Sequence, residues 1–234
     1  MVFWAIAPAK TSGLFIEGEG MKIGLLVFVV IMCGLSGCST MYYETMEKVG
    51  VHKRDIMIDR VKEARDTQAD AKKQFLTAME QFKSVVNFNG GNLEKEYNKL
   101  NATLQDSESK ASAVRNRISA VEDVSDALFR EWRSEIKEYS SDTLRRSSQR
   151  KYDITLQKYK ELIGSMKKAE ARLEPVLVPL RDQVLFLKHN LNAQAIGGLR
   201  DELGSVQTNV DSLVRDMNLA IAEADKFIAA LQVE

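Results

Sequence analysis

Proline is nearly missing from this sequence. Three prolines in 234 residues leave the chain free to sustain long helices, because proline is the residue that interrupts them most strongly. Cysteine is as scarce. Cys33 and Cys38 both sit in or beside one apolar run, so nothing downstream can form an intramolecular disulfide or a thiolate metal site. There is no excess of charge: 33 Lys+Arg against 33 Asp+Glu give a formal charge of zero. That argues against a general nucleic-acid binder, which needs a basic surplus to neutralise phosphates. No hydrophobic run is long. The charge-free stretch from Ile23 to Gly34 is twelve residues, whereas a spanning helix needs roughly 20. What remains, 44% hydrophobic and 28% charged residues, is the composition of a folded domain rather than a disordered one.

The short apolar run has the dimensions of a signal-peptide core, about 7–15 residues behind a positive charge. Lys22 supplies that charge. The tripartite shape favours Met21 as the initiator, with residues 1–20 an upstream extension; the other reading makes residues 1–20 a genuine lengthening of the region before the core. Leu35-Ser36-Gly37-Cys38 resembles the bacterial lipobox. Small residues at 36 and 37 would admit a lipoprotein signal peptidase to the Gly37–Cys38 bond, and the Cys38 thiol would carry diacylglycerol. Two or more acyl chains are needed for a stable anchor. Ser39 in place of Asp, by the same resemblance, implies the outer membrane with the body facing the periplasm. The expected division is therefore 1–20 extension, 21–37 signal peptide, 38–52 lipidated tether and 53–232 a single helical domain.

From Met41 onward apolar residues recur every three or four positions. The first seam reads Met57, Val61, Ala64, Gln68, Ala71, Phe75, Ala78, Phe82, Val85, with one polar lapse. The second is anchored on Leu93, Tyr97, Leu100, Leu104, Ala111, Val114, Ile118, Val121, Leu128, Trp132 and Tyr139. The third runs from Tyr152 through Leu156, Tyr159, Ile163, Met166 and Leu173 to Leu191, and the fourth from Ile196 to Leu231 without a lapse. This is the pattern of helices packed knobs-into-holes, and no stretch alternates with period two. Asn87-Phe88-Asn89-Gly90-Gly91-Asn92 marks a turn, with Asn92 as a cap. Ser140-Ser141-Asp142 marks a second, with Asp142 as the candidate cap. The register slips again between Leu191 and Ile196. The reading is all-α, an elongated antiparallel bundle of helices at about 53–86, 93–139, 143–188 and 193–231, kinked where Pro175 and Pro179 fall inside the third seam. The stretch Val176–Leu187 holds more apolar residues than one seam requires. A helix buried against two neighbours, a dimer or partner face, and insertion into lipid all remain open.

Several stretches carry a resemblance: Met41-Tyr42-Tyr43, Gly50-Val51-His52-Lys53-Arg54-Asp55, Arg145-Arg146-Ser147-Ser148, Asp182-Gln183-Val184-Leu185, Leu187-Lys188-His189-Asn190-Leu191-Asn192-Ala193 and Ala222-Glu223-Ala224-Asp225-Lys226-Phe227-Ile228. Together they resemble an uncharacterised family of Gram-negative lipoproteins, a domain of unknown function, over about residues 41–232. The resemblance implies a lipoprotein with one continuous helical domain and transfers no catalytic residue.

No enzyme constellation is present in the sequence. Val49 and Phe186 stand three residues before His52 and His189, so the Glu-x-x-His of a di-metal bundle is missing. Gly-rich phosphate loops, His-Glu-x-x-His and Gly-x-Ser-x-Gly are missing too. Carboxylate pairs such as Asp66 with Asp70 and Glu131 with Glu135 read as solvated faces, and His189 as a helix-end residue. Neither a metal nor a cofactor is expected. One charge feature stands out: Arg145, Arg146, Arg150 and Lys151 lie within ten residues against Asp142 alone. They are either a solvated helix start or a contact for anionic headgroups or glycans. Trp132 and Tyr139 nearby occupy seam positions and read as core. The expected role is structural or interactive within the envelope: an outer-membrane lipoprotein, anchored through Cys38, with an envelope protein or a second copy as partner and no nucleic acid. A membrane-shaping or lipid-surface-binding rod is the alternative.

Overall fold

A computed structural model describes residues 52–232; the expectations for the signal segment, Gly37 and Cys38 lie outside them. Among the described residues five helices follow one another: α1 Lys53–Val86, α2 Leu93–Glu138, α3 Asp142–Ala171, α4 Leu173–His189 and α5 Ala193–Gln232. The described residues contain no strand. Rods of roughly 50–70 Å result at 1.5 Å per residue. α1 packs against α2 and α5, and the α3–α4 rod packs against the same two. Cross-helix pairs run in opposite senses throughout: Glu63 meets Arg117 and Gln81 meets Glu96 across α1–α2, while Arg65 meets Asp225 across α1–α5. This is an up-down-up-down bundle, and the chain does reverse between residues 188 and 198.

Local chemistry sets the ends. Gly90 and Gly91 adopt φ of 136° and 117°, a region closed to most side chains. The Asn92 side chain then accepts from Lys95 N at 3.0 Å and caps α2. At the second turn the cap is Ser141, whose Oγ accepts from Leu144 N at 3.4 Å. Asp142, expected there, is instead the first helical residue, where its charge favours the positive end of the helix dipole. His189 closes α4 as expected, and the side chain of the following Asn190 donates to Phe186 O at 2.9 Å.

Every position of the first seam is buried, Gln68 included, and so is the fourth seam apart from half-buried Leu203. The second and third seams depart from expectation. Beyond Ser125 the buried residues are Phe129 and Ile136, not Leu128, Trp132 and Tyr139; in α3 they are Thr155 and Leu162, not Leu156 and Ile163. A straight helix drifts about 20° per heptad against a strict repeat. In addition, the far end of α2 has α3 but no longer α1 beside it, so its inward face turns.

The expected helix 143–188 is broken at Arg172. Pro175 has no N–H for the carbonyl of Ala171, and its ring crowds that carbonyl; the chain tightens instead, with Arg172 N donating to Ala169 O at 3.1 Å. Pro179 creates a second vacancy, because it cannot donate to the carbonyl of Pro175. Asn209 of α5 fills it, its Nδ2 donating to Pro175 O at 3.1 Å. The break is tied down by Asp216, whose nearly buried carboxylate accepts from Lys168 at 3.0 Å and Arg172 at 3.1 Å.

Candidate functional site

Antiparallel packing gathers the start of α1, the α2–α3 turn and the end of α5 at one end of the bundle. Lys53, the first residue of α1, pairs with Glu131 at 2.9 Å, and Arg54 donates to the carbonyl of Leu231. α2 continues to Glu138 and α3 begins at Asp142. Among the described residues, the α2–α3 hairpin therefore overhangs the other two helices by about 10–15 Å.

The four expected basic residues lie together on this overhang, in the first turns of α3, and all are exposed. Arg145 is committed to Asp142. Arg146, Arg150 and Lys151 make no ion pair among the described residues. Beside them Leu144 is 56% and Tyr139 39% exposed, so Tyr139 is surface rather than core. From 131 to 152 six cations stand against four carboxylates, a net excess smaller than the ten-residue cluster alone suggests.

The base of the overhang is an aromatic clamp. Phe129 meets Tyr152 edge-on with centroids 5.7 Å apart and Tyr159 at 5.4 Å, and half-buried Trp132 meets Tyr152 at 5.7 Å. Trp132 Nε1 donates to Ser148 Oγ at 2.9 Å, and Arg133 donates to the Tyr152 hydroxyl at 2.8 Å while lying 5.8 Å from its ring centroid. Burial raises the Tyr159 hydroxyl above its ordinary value of 10.0. These contacts tie α2 to α3 where the hairpin leaves the ends of α1 and α5.

Three of the four paired carboxylates are engaged in ion pairs: Asp66 meets Arg65, Asp70 meets Lys110, and Glu131 meets Lys53. A network joins α2 to α4, from Glu108 through Arg181 and Glu174 to Arg115, with spacings of 2.5, 2.7 and 2.9 Å. The hydrogen bond from Arg181 is the main reason the Glu174 carboxyl is held low. Among the described residues no three His, Cys, Asp or Glu side chains converge as metal ligands, and no helix is long and apolar enough to cross a membrane.

The apolar surplus of α4 divides. Val176, Leu177, Leu180, Val184 and Leu187 are buried between α2 and α5, but Val178, Leu185 and Phe186 remain exposed. The Leu187–Ala193 stretch forms the α4–α5 turn. A second glycine pair, Gly197-Gly198, lies across from Phe186 at the start of α5. Its signal is visible in the sequence, but only the turn that reverses α5 onto α4 gives it meaning.

The family described as Protein of unknown function (DUF2959) matches residues 42–231, a span that takes in all but the last residue of the five helices. No curated protein matches the chain.

Proposed function

This chain belongs to the DUF2959 family, and we propose that it is a lipid-anchored structural or interaction module of the cell envelope, held at the outer membrane through Cys38 and facing the periplasm. Chain order carries the reading. Thirteen residues lie between Cys38 and His52, and His52 lies at the end of the bundle where the basic overhang stands. An anchor on Cys38 would keep that end within the reach of its tether, at most about 50 Å. Arg146, Arg150 and Lys151 would then meet anionic headgroups, with Leu144 and Tyr139 at the apolar boundary. That overhang also supports a lipid-surface-binding role for this end.

Cys38→Ser should abolish lipid labelling and membrane retention in intact cells; retention that persists without the thiol removes the anchoring claim. For the headgroup contact, three free cations at about 1 kcal/mol each correspond to roughly a hundredfold in partitioning. Reversal of Arg146, Arg150 and Lys151 to Glu should cost at least that on phosphatidylglycerol vesicles at low salt. Equal binding by both proteins would remove the overhang from the membrane contact.

A further inference from the structure

At the opposite end of the bundle a groove of about 400 Å³ opens between α4 and α5. Pro179 and Phe186 of α4 and Leu199 of α5 give it apolar walls. Gly198 leaves room beside Phe186: a Cβ there would stand at ordinary contact distance, 3.8 Å, from the ring, and only a longer side chain would fill the groove. Gln183 lines the groove from below and is 4% exposed, yet neither its Nε2 nor its Oε1 has a hydrogen-bond partner. A buried amide left unpaired on both sides is a standing cost that an incoming donor and acceptor would remove.

Two of the exposed residues of the groove, Asp182 and Glu202, are acidic. Asp182 has no ion pair among the described residues, and the Glu202 carboxylate accepts from the Ser205 hydroxyl alone, at 3.4 Å. Nearby cations are engaged elsewhere: Arg181 with Glu108 and Glu174, Arg200 with the carbonyl of Val86. On the outer face of α4 the apolar surface continues through Val178 and Leu185, 45% and 58% exposed.

We propose that this groove binds a lysine or arginine side chain carried on an apolar stretch of a partner protein. The cation would sit between Asp182 and Glu202, with its aliphatic stem along Pro179, Phe186 and Leu199. A peptide unit is the natural complement of the Gln183 amide once that side chain, closed to solvent in this structure, turns toward the groove, since each then offers an N–H and a carbonyl to the other. That pairing, and a groove open along a helix face rather than enclosing, favour a protein segment over a free amine. Flanking apolar residues of the segment would rest on Val178 and Leu185. The inference goes beyond anchoring and does not depend on it.

The test uses the full chain in detergent, labelled with ¹⁵N-glutamine, and the peptide acetyl-Ser-Leu-Lys-Leu-Ser-amide. The lysine peptide should shift the Gln183 side-chain amide signals saturably and bind about tenfold more tightly than its norleucine counterpart, the equivalent of one charge-assisted hydrogen bond. The double variant Asp182→Asn/Glu202→Gln should erase that preference. Gly198→Leu, which fills the groove while improving helix propensity, should abolish binding with the circular dichroism unchanged. No saturable shift, or equal binding of both peptides, overturns the proposal. So does n-butylammonium matching the lysine peptide, which would make the ligand a free amine. A concentration-dependent dimer in sedimentation that Gly198→Leu disperses also overturns it, by showing a second copy as the occupant.

Discussion

Deleting Asp216 and deleting its two partners should not cost the same. The Asp216 side chain is 5% exposed, whereas Lys168 and Arg172 are 59% and 48% exposed. Asp216→Ala releases two cations that water can already reach, so the loss is that of the charge-assisted hydrogen bonds, about 1.5–3 kcal/mol. Lys168→Met with Arg172→Met leaves a buried carboxylate facing nothing, a change that costs about 3–5 kcal/mol. For a domain of this size each kcal/mol moves the midpoint by about 2–4 °C. Thermal unfolding followed by circular dichroism at 222 nm therefore separates the two cases. The pH dependence gives a second signature. In the native protein burial pushes the Asp216 carboxyl up, but the hydrogen bonds from Lys168 and Arg172 outweigh it and hold the group below its ordinary value of 3.8. Its contribution is therefore present above 3.8 and is lost as pH falls through the lower folded value. In the double variant burial acts alone and raises the pKa, so protonation relieves the penalty as pH falls from neutrality. The gap between the two proteins should narrow toward acid. If Asp216→Ala costs as much as the double variant at neutral pH, the reasoning from unequal burial fails.

Gln68 is fully buried with both amide atoms unpaired, so Gln68→Leu should raise stability by about 1–3 kcal/mol; a loss in urea titration would reveal a partner for the amide. Asn209→Ala should cost about 1 kcal/mol in the native chain and close to nothing in Pro179→Ala, where the helix regains its own donor to Pro175. A double-mutant cycle with no coupling would refute that account of the second proline. Gly90→Ala should destabilise by about 1–2 kcal/mol because of its positive φ, whereas Gly198→Ala should be neutral or stabilising by up to about 1 kcal/mol; equal effects in thermal unfolding would contradict both.

The seams of α1 and α5 are legible in the sequence because each of these helices is flanked by partners along nearly its whole length. The α2 seam is legible in its middle and lost where the hairpin outruns α1, since the inward face then depends on which neighbour is still there; the α3 seam slips by one position at Thr155 and Leu162 although α5 still lies beside it. The break at Arg172 is written in Pro175, but three residues upstream, next to the Ala171 carbonyl that proline deprives. The basic residues of 145–151 can be found by counting charge. Their standing on an overhang depends on the relative register of α1 and α2, which no local pattern encodes. The groove is the least legible feature. Asp182 and Gln183 on α4 and Gly198 and Glu202 on α5 are unremarkable apart, and become a site only when the chain folds back at Asn190–Asn192.

An even number of antiparallel rods brings the start of α1 and the end of α5 side by side. That geometry governs how the fold would bear mechanical load. Tension applied between these two ends would peel α5 from α1 one turn at a time, a weak unzipping mode. Tension applied between the start of α1 and the α4–α5 end would instead run lengthwise through the rods and slide their interlocked side chains past one another all at once. A body tethered at His52 and gripped near Gly198 would be loaded in this second, stronger direction.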